Sequence, residues 1–114
     1  MKKLFVSVPM RNRTEEDIKL SMIKMHGIAE RYTGEKLELI DSFIYEEPPM
    51  ACNTSLWYLG KSLEKLAMAD VFIGIDEASA YSGCLIENLA AENYNIKSYY
   101  IPLETILSNN NEGE

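Results

Sequence analysis

Two cysteines and one histidine among 114 residues leave few of the side chains that bind metals or staple small secreted domains. Cys52 and Cys84 make no disulfide framework, and His26 adds no clustered ligand set, so the sequence implies neither a structural metal nor a cofactor. Cationic residues are also scarce: 11 Lys and Arg face 18 Asp and Glu, a net charge of -7. That balance repels polyanions at long range and argues against a nucleic acid polymer or an anionic membrane as partner. A single nucleotide held by one or two local arginines stays compatible with it. No apolar run is long enough to cross a bilayer, and Met1-Lys2-Lys3 leads straight into a strand pattern rather than a signal peptide, so a cytoplasmic protein is expected. Internal repeats are lacking as well.

What is present is an alternation of strand and helix patterns. Leu4-Phe5-Val6-Ser7-Val8 reads as a first strand, ended by Pro9, which has no backbone donor. Thr14 offers a helix cap followed by Glu15, Glu16 and Asp17, and Ile18, Met22, Met25, Ala29 and Tyr32 form an apolar stripe that Gly34 closes. Residues 37–40 give a second strand. Residues 42–55, with Pro48-Pro49 and Tyr45-Glu46-Glu47, form an irregular stretch long enough to be a lid. Leu56, Leu59, Leu63 and Leu66 recur at helical spacing and read as core; residues 71–75, 82–94 and 96–101 read as strand, helix and strand. One domain over residues 1–107 is expected, with a polar, mobile tail over 108–114. The alternation predicts an α/β fold, a flavodoxin- or Rossmann-like three-layer sandwich whose mainly parallel sheet has four to five strands. In the flavodoxin-like order, ligands bind beyond the carboxyl ends of strands one and three. Those ends carry Pro9-Met10-Arg11-Asn12-Arg13 and the stretch from Asp76 to Glu87, which predicts a pocket with two arginines, a helix amino terminus and at least two carboxylates.

Glu87 is the oddity within that stretch. Stepping by three and four residues from it gives Gly83, Ala90, Ala91 and Tyr94, a small or apolar stripe rather than a charged face, so its carboxylate is expected to look into a cleft. A position near the start of the helix should keep it ionised through the helix dipole. Taken alone, it reads more readily as a first-turn acid that favours its own helix, and Asp76 is as readily a loop cap as a general acid.

Three segments resemble the nucleoside 2-deoxyribosyltransferase-like superfamily, especially its short bacterial and phage members. They are Phe5-Val6-Ser7-Val8-Pro9-Met10-Arg11, Lys61-Ser62-Leu63-Glu64-Lys65-Leu66 ahead of Ala69-Asp70, and Ser82-Gly83-Cys84-Leu85-Ile86-Glu87-Asn88, in the same order over residues 3–101. The resemblance implies a Rossmann-like fold, a homodimer or larger oligomer, and cleavage or exchange of an N-glycosidic bond in a deoxynucleoside or its 5′-monophosphate. Glu87 matches the family's nucleophilic glutamate. Two departures stand out: Ser62 occupies the place of an aspartate that handles substrate in characterised members, and Val8 replaces a glycine.

The chemistry suits these residues. Breaking an N-glycosidic bond passes through an oxocarbenium-like state that a nearby anion stabilises or traps covalently. The leaving base then needs a proton, for which Asp76 or Glu77 is proposed ahead of Tyr45 or Tyr58. Ser82 and Gly83 at a helix start suit sugar or phosphate oxygens, and Arg11 suits a 5′-phosphate. Ser7, Pro9, Met10, Tyr58 and Ser62 complete the expected substrate contacts. A phosphoacceptor receiver domain would place an aspartate at Asp76 but lacks the acidic pair after strand one. A flavin carrier lacks its phosphate loop. The alternative to an enzyme is a noncatalytic module that binds a nucleotide or a nucleotide-derived signal.

Overall fold

A computed structural model describes residues 1–107; the expected polar tail at 108–114 lies outside the described residues. Eight elements alternate: β1 (Lys2–Val6), α1 (Glu15–Thr33), β2 (Leu37–Leu39), α2 (Thr54–Leu66), β3 (Val71–Ile75), α3 (Ser82–Asn93), β4 (Lys97–Ile101) and α4 (Leu103–Leu107). The four strands form one sheet in the order β2-β1-β3-β4, and every pairing is parallel. Among the described residues no helix is long and apolar enough to cross a membrane.

Handedness puts the helices where they are. The chain steps one way across the sheet from β1 to β2, then reverses to reach β3 and β4. Right-handed crossovers therefore place α1 on one face and α2 with α3 on the other. Alternation along the strands agrees: Leu4, Val6, Val71, Ile73 and Ile75 enter the core cluster shared with α1. Phe5 and Phe72 enter the cluster shared with Leu66 of α2 and Ala91 of α3, and their rings stack with centroids 6.0 Å apart. Ser7 follows the parity of Phe5, so the period of two aims its side chain at α2 and α3 rather than at α1.

Local signals set the helix ends. Thr14 caps α1 by accepting from the Asp17 amide at 3.1 Å, and Gly34 ends it at φ 75°, where glycine has no side-chain penalty. Asn53 caps α2, its carboxamide oxygen accepting from the Leu56 amide at 3.0 Å. The short edge strand β2 is tied to α1 through Leu37, whose N–H donates to Glu30 Oε2 at 2.9 Å and whose carbonyl meets His26 Nε2 at 2.8 Å.

Three expectations change. The leucine stripe of α2 is not core throughout: Leu66 is buried at 3% exposure, whereas Leu56 is 61% exposed. The α2 leucines that pack on the Phe5–Phe72 cluster are Leu63 and Leu66, near its carboxyl end. Tyr32 leaves the α1 core and lies against Tyr99, with ring centroids 5.7 Å apart. Helix α4, absent from the expected element order, seals the α1 face with the fully buried Ile106.

Gly74 lets α3 approach the sheet. A Cβ there would stand 2.5 Å from Asn88 Oδ1 and 2.9 Å from the Phe72 ring, while Asn88 Nδ2 donates to the Ile75 carbonyl at 2.9 Å. Gly74→Ala should therefore destabilise the protein by about 1–3 kcal/mol, the usual cost of overpacking a core, measured by urea denaturation. A variant as stable as the wild type would show that α3 does not depend on this close approach.

Candidate functional site

A cavity of about 500 Å³ opens beyond the carboxyl ends of β1 and β3, at the point where the strand order reverses. Val8, Met10 and Arg11 line it from the segment after β1, while Tyr81, Ser82, Gly83, Cys84 and Glu87 line it from the start of α3. Tyr58 and Ser62 of α2 and Ser42, Phe43 and Ile44 of the long β2–α2 connection add to the wall. Its volume falls in the range of small-ligand sites.

Glu87 is the chemical centre of this wall. It is only 8% exposed, yet among the described residues no cation pairs with it. Ser7 Oγ donates to its Oε1 at 2.6 Å and Ser62 Oγ donates to its Oε2 at 2.6 Å. Each hydroxyl comes from a different element. Ser7 extends the β1 ladder through its own N–H, which donates to the Ile73 carbonyl at 2.9 Å, and Ser62 rides on α2 beside Leu63, which packs on the core. The carboxylate is thus oriented through strand, helix and helix together.

The expected support from the helix dipole is missing. Glu87 lies in the second turn of α3, and the first turn holds no acid, so the dipole has little hold on it. Burial raises its pKa above the ordinary 4.5, with the hydrogen bonds from Ser62 and Ser7 pulling the other way. Cys84, on the same wall, has its thiol pushed up to about 11 by burial, with the Glu87 charge adding and a bond from Ser7 opposing. It is therefore a protonated wall residue and not a nucleophile at neutral pH.

The remaining sequence candidates divide sharply. Met10, Arg11, Tyr58, Ser62, Ser82 and Gly83 share the cavity with Glu87. Ser7 has 1% exposure, is not among the lining residues, and donates its hydroxyl to Glu87 from behind the wall. Pro9 is buried, and its carbonyl accepts from Arg13 Nη1 at 2.9 Å. Arg13 also donates to the buried Ser21 hydroxyl, which locks the loop onto α1 and takes this second arginine out of the expected pair. Arg11 lies over the Tyr81 ring, 5.9 Å from its centroid.

Asp76 and Glu77 are exposed and do not line the cavity, because the chain turns outward after β3 before α3 begins. Tyr45 is occupied elsewhere: its hydroxyl donates to Asp41 Oδ2 at 2.8 Å, and Asp41 Oδ1 accepts from the Phe43 amide. That small turn is what presents Phe43 and Ile44 to the cavity. Sequence reasoning missed these two as wall residues, along with Tyr81. The lid-length loop and the position of Tyr81 next to Ser82 were the available signals.

Fold and site together define a parallel α/β sandwich with one desolvated carboxylate in a cleft at its switch point. Comparison of the chain with protein-family models, with curated proteins and with solved structures finds no match.

The raised pKa has a definite stability sign. A carboxyl whose folded pKa exceeds the unfolded one binds more protons when folded, so its effect turns increasingly unfavourable as pH rises from about 4.5 through the folded value. Glu87→Gln, nearly isosteric and uncharged, should melt higher than wild type at pH 7. A gain of about 1 kcal/mol corresponds to about 4–8 °C in a domain near this size. The difference should shrink toward pH 4, and comparing the two proteins cancels the opposite slopes of Glu30 and Asp41, whose pKa values are lowered. Equal melting curves at both pH values, followed by circular dichroism, would refute the desolvation penalty.

Proposed function

We propose that this protein cleaves or exchanges the N-glycosidic bond of a nucleoside, a deoxynucleoside or a 5′-monophosphate of either, with Glu87 as nucleophile. The observation that carries this reading is the Glu87 carboxylate, buried at the wall of the cavity with one serine hydroxyl on each oxygen. Such a group is held in one orientation before substrate arrives, which is what stabilising an oxocarbenium-like state requires. Attack by one oxygen on C1′ forms a glycosyl ester as the C1′–N bond breaks and the base leaves with its electron pair, and water or a second base then displaces Glu87. Arg11 and the amino-terminal turn of α3 at Ser82 and Gly83 suit a 5′-phosphate. The resemblance of three segments to the nucleoside 2-deoxyribosyltransferase-like superfamily supports the same chemistry. A cytoplasmic setting belongs to this proposal.

One observation favours a second reading, a noncatalytic module that binds a nucleotide or nucleotide-derived signal. Ser62 stands where the resemblance places an acid, and Glu87 is the single carboxylate among the described lining residues. Base release, followed by chromatography over a panel of nucleosides, deoxynucleosides and their monophosphates with neutral and charged bases, separates the two. Glu87→Ala should lower release by at least about 10²–10³-fold, the loss expected when one electrostatic stabiliser of a transition state is removed, with much of the ligand affinity retained. The acid limb of the wild-type pH profile should lie above 4.5, in line with the raised pKa. Ligand binding without release from any panel member would establish the binding module.

We also propose a homodimer or larger assembly. Leu56 on α2 and Ile86 and Leu89 on α3 leave apolar side chains exposed on neighbouring helices, a surface suited to a second copy. Light scattering at micromolar concentration should give at least twice the monomer mass of 13.0 kDa, and Leu89→Glu should lower it. A monomeric wild type would overturn the assembly.

A further inference from the structure

Among the described lining residues the cavity holds one carboxyl group, Glu87, and no second acid. Its described lining residues that carry transferable protons are Tyr58, Tyr81, Cys84 and serine hydroxyls. Phenols, thiols and alcohols hold their protons tightly at neutral pH, whereas an efficient general acid titrates near the working pH. The Cys84 thiol, pushed up to about 11, is poorer still. Asp76 and Glu77, the carboxylates adjacent in sequence, do not line the cavity. Ser62 Oγ sits 2.6 Å from Glu87 Oε2, where a second carboxyl would have to be to share a proton with it. The site is therefore built to stabilise positive charge on the sugar and is poorly built to protonate a leaving base.

Resting on the proposed function, we infer that the preferred substrates are N-glycosides whose base already carries a formal positive charge: a pyridinium-type base or an N7-alkylated purine. Such a base needs no proton in order to leave. When the C1′–N bond breaks, its electron pair settles on the ring nitrogen and cancels the positive charge. Glu87 forms the C1′–O bond, and water then replaces Glu87 at C1′. The balance is cationic nucleoside plus water giving neutral base, free sugar and one proton, with no oxidant or reductant.

Recognition follows the same logic. A desolvated carboxylate with no cationic partner among the described residues gains most from a ligand that brings the positive charge, since opposite charges favour its ionised form. The Phe43, Tyr58 and Tyr81 side chains on the wall add aromatic rings that suit a cationic heterocycle. Arg11, the one cation among the described lining residues, is left to meet a phosphate. A zwitterionic nucleotide, positive at the base and negative at the 5′ end, complements both charges of the cavity.

The test uses the full chain with four probes: nicotinamide mononucleotide, 7-methylguanosine 5′-monophosphate, guanosine 5′-monophosphate and uridine 5′-monophosphate. Base release is followed by chromatography and corrected for spontaneous hydrolysis. A positioned general acid contributes about 10²–10⁴-fold, so the charged probes should exceed the neutral ones in corrected kcat/KM by at least about 100-fold. Comparing the two charged probes separates a pyridinium from an alkylpurine preference. Ser62→Asp places a second carboxyl beside Glu87, where the pair retains a proton to higher pH, and should narrow the gap by accelerating the neutral probes. Folding of that variant is verified by its melting curve, and Ser62→Glu supplies the same carboxyl if the aspartate variant does not fold. Neutral probes released as fast as charged ones, or a folded carboxyl variant that leaves the ratio unchanged, would overturn the inference while the N-glycosidase reading stands. No release from any probe of the wider panel would overturn that reading itself.

Discussion

The burial of Glu87 between two serine hydroxyls is the interaction around which the rest of this molecule is arranged. A carboxylate at 8% exposure needs compensation, and each of its oxygens receives it from a neutral donor at 2.6 Å rather than from a cation. Neutral donors hold the orientation without cancelling the charge. What results is a carboxyl group that is fixed in place, whose ionised form is costly to keep and attractive to positive charge arriving in the cavity.

That arrangement constrains the layers behind it. Ser7 reaches Glu87 because its strand keeps the register that sends Leu4 and Val6 to one face and Phe5 and Ser7 to the other. Ser62 reaches it because α2 packs near its carboxyl end through Leu63 and Leu66. Glu87 itself is set by the close approach of α3 to β3 over Gly74, where Asn88 anchors to the Ile75 carbonyl. A shift of α3 by the width of a methyl group would pull the carboxylate away from both serines. The buried Asn88 Oδ1 is left without a partner, a further cost accepted where the helix meets the sheet.

The cavity walls follow from two loops of different character. The short β1–α1 loop is rigidified by Arg13, which bonds Pro9 and Ser21 and thereby leaves Arg11 as the arginine facing the cavity. The longer β2–α2 connection folds on Asp41, whose carboxylate binds Tyr45 and the Phe43 amide and is kept below the usual aspartate range chiefly by the Tyr45 hydrogen bond. Self-contained loops of this kind present their remaining side chains to a ligand without needing the ligand to order them.

Local physics was legible in the sequence. Thr14 and Gly34 bracket α1, residues 71–75 match β3, and the alternation of elements led to the parallel sheet that the structure contains. These depend on neighbours within a few residues, or on periodicity, and a sequence carries both. The cleft-facing role of Glu87 was also readable, because a charge on a small, apolar stripe is out of place on a solvated helix. Its partners were not. Ser7 and Ser62 lie 80 and 25 positions away from Glu87, and no local pattern distinguishes a serine that supports a buried carboxylate from one that faces water. The α2 leucines mislead for a related reason: helical spacing defines a face but not how much of it the sheet covers. The sequence by itself determined the order of the elements from β1 to β4 and the odd carboxylate, but not α4; the tertiary structure alone decided what surrounds that carboxylate, because burial and hydrogen bonding arise from residues brought together by the crossovers.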